Sequence, residues 1–126
     1  MSGALWAPAL WVGVLGIGGF GAMTRFMVDR TVSRRLKGPF PFGTLVVNIS
    51  GAALLGFLAG LTVRHEVAIL AGTAFLGAYT TFSTWMLQTQ RLAEQRHIMF
   101  AAMNIVVSVV LGLAAAAAGH WTASML

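Results

Sequence analysis

The sequence predicts an all-α integral membrane protein, a four-helix bundle whose third helix is interrupted, and three observations lead there. Of its 126 residues, 58% are hydrophobic and 9% charged, where a water-soluble domain carries about 25% charged residues. Uncharged tracts long enough to cross a bilayer occur four times, with short polar loops between them. Period-two alternation is missing, which argues against a transmembrane barrel and leaves helices to satisfy the backbone in lipid. The same composition excludes disorder, a nucleic-acid arm and an ordinary soluble enzyme. Cysteine is absent, which removes disulfides, thiol catalysis and thiolate metal sites.

A helix needs roughly 20 residues to cross the hydrocarbon, and the predicted spans are residues 4–25, 41–63, 67–90 and 98–120 of a single domain covering 1–126. The first tract is uncharged up to Arg25, after which Asp29, Arg30, Arg34, Arg35 and Lys37 form a polar loop. It lacks the basic start of a secretory signal and is as long as a span, so it is expected to be a retained helix. Pro39 and Pro41 precede the second span, where proline suits a helix start better than an interior. Arg64, His65 and Glu66 make the next connection. Arg91, Glu94, Arg96 and His97 make the last, and the fourth span holds His120 as its one titratable side chain. Four short helices enclose little space, so a substrate path is expected to need a second copy or a partner.

Mid-way along the third tract, Gly77-Ala78-Tyr79-Thr80-Thr81-Phe82-Ser83-Thr84-Trp85 gathers one glycine and four hydroxyl residues. Hydroxyls can satisfy backbone groups released where a helix opens, and such openings at membrane depth line cavities or hold ions. A small-residue packing face gives the same pattern, and spacing alone leaves both open. The second span carries Thr44 and Asn48 four residues apart, and the fourth carries Asn104 and Ser108 at the same spacing, each pair on one helix face. No span contains a charge to match: Asp29, Glu66 and Glu94 all stand at span ends. An exporter of small cations or drugs, which needs a carboxylate inside the membrane, is therefore the weaker alternative.

Several other signals are set aside. Gly16-Ile17-Gly18-Gly19-Phe20-Gly21 matches the dinucleotide-binding glycine pattern but sits inside a span with no strand before it, so close helix contact explains it better. Glu94 and His97 have a metal-site spacing in one copy only, and His65, His97 and His120 are scattered. No nucleophile, base and orienting group fall together, so an enzyme is not expected. Loops one and three share a side and hold Arg25, Arg30, Arg34, Arg35, Lys37, Arg91 and Arg96 against Arg64 alone on the other. Seven against one predicts a fixed orientation with those loops cytoplasmic.

Three blocks of the sequence resemble the Fluc (CrcB) family of fluoride channels: Gly-Gly-Phe-Gly-Ala-Met-Thr-Arg at Gly18 to Arg25, Phe-Gly-Thr-Leu-Val-Val-Asn at Phe42 to Asn48, and Gly77 to Trp85. The resemblance covers nearly the whole chain. It implies an antiparallel, dual-topology dimer in the cell membrane that lets fluoride leave passively and lowers its cytoplasmic toxicity. It implies a structural sodium ion, not transported, held by the backbone carbonyls of Gly77 and Thr80 from both subunits. Oxygen donors suit such a hard cation.

By the same resemblance Asn48 donates to the anion from its NH2, and Phe82 presents the positive edge of its ring. Trp85 stands where the family usually has phenylalanine, and Ala78-Tyr79 replaces the usual Gly-Leu. The indole N–H either binds fluoride or the larger ring closes the path in this subunit. Thr84, Ser108 and Thr44 are expected as further hydroxyls along the pathway, or as helix-packing contacts. Arg25 is expected either in an anion vestibule or as an interface anchor. Fluoride and membrane lipid are the expected partners, with no nucleic acid. The subunit partner is a second copy or, given the charge bias, an oppositely oriented homologue, in which case this chain conducts little alone.

Overall fold

The computed structural model describes residues 3–61 and 63–126. Met1, Ser2 and Thr62, the last inside the expected second span, lie outside the described residues, as do the side chains of residues 3–6 and of His65. All described elements are helical. They are α1 (Gly3–Arg35), α2 (Phe42–Gly60), α3 over 65–79, α4 (Ser83–Glu94) and α5 (Ile98–Ser124). Three helical stretches, Ala7–Arg35, Phe42–Gly60 and Ile98–Ser124, are long and apolar enough to cross a membrane, and the chain is a helical membrane protein.

The helices depart from the expected spans in three places. α1 continues past Arg25 to Arg35, because nothing between Phe26 and Arg35 is glycine or proline. It stops where Gly38 takes φ +133° beside Pro39. At 33 residues it is about 50 Å long, so its charged end stands clear of the hydrocarbon. α5 likewise runs on to Ser124. Within 67–90, α3 ends at Tyr79, Thr80 is extended (φ −82°, ψ 162°), and helix resumes at Ser83. Most of α3, Ala68–Leu76, is π-helical, a wide winding that is rare and frequent near functional sites.

α2 and α5 pack along most of their lengths, and small residues set their distance. A Cβ on Gly56 would overlap the Ala116 carbonyl, and one on Gly119 the Ala53 carbonyl, so only glycine allows the two backbones this close. On the other side of α2, Val47, Leu76 and Tyr79 form a buried core with Val28 and Phe75 packed against it. This joins α1, α2 and α3. The Tyr79 hydroxyl lies 2.9 Å from Ser50 Oγ, so the phenol finds a partner inside the bundle. Gly21 in α1 faces the Phe75 backbone, while Gly16 and Gly19 face no neighbour. Only part of that glycine run therefore serves close contact. Phe40 packs on Phe42 and Phe100 at the loop end.

Candidate functional site

The site is built around the backbone between α3 and α4. In a continuous α-helix the Thr81 N–H would bond the Gly77 carbonyl, four residues back. Here it donates to Asn48 Oδ1 at 2.8 Å, and Asn48 Nδ2 donates to the Thr81 carbonyl at 2.8 Å. One side-chain amide from α2 thus satisfies both polar groups of one peptide residue. The pairing also fixes which way the amide points. The Thr84 N–H, which would otherwise bond the Thr80 carbonyl, donates to Thr81 Oγ1 at 3.2 Å. That contact supplies an acceptor for a first-turn N–H of α4 that has no partner within the helix. The carbonyls of Gly77 and Thr80 consequently lose their α-helical donors.

This segment forms one wall of a cleft of about 520 Å³. Asn48 and Gly51 line it from α2, Gly77 from α3, Thr80, Thr81 and Phe82 from the connecting segment, Trp85 from α4, and Ser108 and Gly112 from α5. No charged residue lines it. Phe82 is 70% exposed, so the cleft opens on the flank of the helical bundle. Six expected site residues therefore meet: Asn48, Phe82, Trp85, Ser108, Gly77 and Thr80. The Ser108 hydroxyl is buried without a partner.

Phe82 and Trp85 meet edge to face, with centroids 5.7 Å apart and planes at 79°. The indole N–H donates to the Asn104 carbonyl at 3.0 Å. Of the two roles open to Trp85, anion binding through its N–H is therefore disfavoured in this conformation, since that donor is engaged.

Thr44, Thr84 and Arg25 do not line this cleft. They surround a second cavity of about 140 Å³, with Asp29, Val47 and Thr81. Thr81 is common to both, so the two spaces lie on either side of it. Thr44 is 2% exposed, and the Arg25 Nε is buried without a partner. Four-residue spacing put Thr44 and Asn48 on one helix face, yet their side chains reach different cavities because the 80–82 segment lies between.

Two residues matter more than their sequence positions suggested. Thr81 accepts one bond from the Asn48 amide and donates one to it, and its hydroxyl accepts from the Thr84 N–H. Asn104 is fully buried and gives its NH2 to Thr89 Oγ1 at 2.9 Å. Its spacing from Ser108 was visible in the sequence, but its partners come from α4, which no local pattern reveals.

The chain matches the family model described as "CrcB-like protein, Camphor Resistance (CrcB)" over residues 10–120. It is 65% identical over 117 residues to "Fluoride-specific ion channel FluC 2" of Mycobacterium tuberculosis (strain ATCC 25618 / H37Rv), covering 93% of each chain. It is 64% identical to the protein of that name from Mycolicibacterium paratuberculosis, covering 94% of this chain and 97% of the other. To "Fluoride-specific ion channel FluC 3" of Yersinia pestis it is 41% identical, covering 90% and 94%. Together with the all-helical membrane fold, these matches make the chain a member of the CrcB family.

Proposed function

We propose that this protein is a passive fluoride channel of the cell membrane, and the uncharged cleft that gathers Asn48, Phe82 and Ser108 carries the proposal. Relatives named as fluoride-specific channels support it. A small, strongly hydrated anion crosses lipid only if other donors replace part of its water shell, and it leaves only if they hold it loosely. One N–H of the Asn48 amide is committed to Thr81, and the other remains to donate. The unpartnered Ser108 hydroxyl is a second donor, and the Phe82 ring edge a third, weaker contact.

The channel is a pair of inverted subunits. Polar groups opening on the flank of one subunit are costly beside acyl chains, and a second subunit over the cleft removes that cost. The charge bias of seven cations to one favours a partner of opposite bias. On this reading the 80–82 segment interrupts one membrane crossing made of α3 and α4. The Gly77 and Thr80 carbonyls, left without helical donors by the bonds at Thr81 and Thr84, fit a structural sodium ion, which would hold the two segments against each other.

Liposomes loaded with fluoride test this with a fluoride electrode. Fluoride is expected to leave while chloride stays, and Phe82→Ile and Asn48→Asp are expected to slow it at least about tenfold. Efflux with this chain alone identifies a homodimer, and efflux only beside an inverted homologue a heterodimer. Accessibility of tags on both termini in cells reports the orientation. No fluoride efflux in either preparation, or proton-coupled cation uptake instead, overturns the reading.

A further inference from the structure

We propose that the recess between the α1–α2 loop and α4 is a binding site for the headgroup of an anionic phospholipid. The recess has a volume of about 390 Å³, and Lys37 and Arg91 line it together with Ser33, Gln88 and Gln95. It is separate from the two cavities around Thr81. Neither Lys37 nor Arg91 has an ion-pair partner, and the one salt bridge among the described residues, Arg64 to Glu66, involves neither. Of the acids closest in sequence, Asp29 accepts from the hydroxyl of Ser33 in the recess wall, and Glu94 from the Gln90 amide. No carboxylate lines the recess. Two cations facing one space without a counter-ion suit a phosphodiester.

A second observation sets the depth. α2 has 19 residues and so is about 28 Å long, close to the hydrocarbon thickness of about 30 Å. Its first turn at Phe42 therefore marks the hydrocarbon edge, and Pro39 and Pro41 in the recess wall stand at headgroup level. Leu36, also lining the recess and half exposed, can meet the glycerol backbone. Basic pockets at this depth on the cytoplasmic side are where anionic lipids bind.

Native mass spectrometry of the detergent-purified protein tests the site with phosphatidylglycerol, phosphatidylcholine and inorganic phosphate as probes. Phosphatidylglycerol is expected to bind, and the double variant Lys37→Gln/Arg91→Gln to weaken it about 30-fold. A control double variant, Arg34→Gln/Arg35→Gln, removes the same charge outside the recess and is expected to stay within about twofold. Equal losses in the two double variants would overturn the site in favour of diffuse attraction. Inorganic phosphate binding as tightly as the lipid would overturn its assignment to lipid. Gel filtration identifies any variant that fails to fold, and the single variants Lys37→Gln and Arg91→Gln then carry the comparison.

Discussion

The seam between α2 and α5 and the segment joining α3 to α4 solve the same problem in opposite ways. At the seam, glycine and alanine let two regular helices touch backbone to backbone, and no side-chain hydrogen bond among the described residues crosses it. At 80–82 the backbone is irregular, and side chains from α2 and from the segment itself supply missing partners. Asn48 does so at Thr81, and the Thr81 hydroxyl at Thr84. Where the chain stays helical, packing suffices. Where it opens, every freed polar group needs a specific donor or acceptor, because lipid supplies none.

The comparison breaks most severely at the seam. Gly119→Leu drives a side chain into the Ala53 backbone, which cannot rotate away. It should cost about 3 kcal/mol or more, seen as loss of monodisperse protein on gel filtration. Asn48→Leu should come next. It leaves the N–H and carbonyl of Thr81 unpaired at about 1–3 kcal/mol each, lowering thermal stability and abolishing fluoride efflux while the protein remains helical by circular dichroism. Trp85→Phe removes one hydrogen bond to the Asn104 carbonyl. About 1 kcal/mol of stability should be lost, and efflux should be kept or raised, since phenylalanine is the family's usual residue. A fall to background would assign conduction to the indole. Arg64→Gln is the smallest change. Its ion pair spans 3.9 Å, and the arginine side chain is 83% exposed, so stability should move by less than about 0.5 kcal/mol.

Much of this architecture was legible in the sequence, for reasons that differ by region. Uncharged length and flanking arginines located three helices, because hydrocarbon thickness imposes that length directly. The extension of α1 to Arg35 was missed: absence of charge marks where lipid ends, not where a helix does. The π-helical winding of Ala68–Leu76 leaves no signature in hydrophobic periodicity over so short a stretch. Among the site residues, Asn48 and the 77–85 run stood out as polar groups inside apolar spans, which need partners. That Asn48 pairs with the backbone of Thr81, while Thr44 turns toward Arg25, depends on where the irregular segment passes. Tertiary packing decides that, and helical spacing does not.

The Asn48 amide holds the 80–82 segment, and hydrogen exchange at the Thr81 amide tests this most directly. In the wild-type protein in detergent, that amide should exchange slowly. In Asn48→Leu it should exchange at least about 100-fold faster, while the Gly56 amide in the α2–α5 seam keeps its wild-type rate. A Thr81 amide whose exchange is unchanged by the substitution, or is already unprotected in the wild type, would contradict the account.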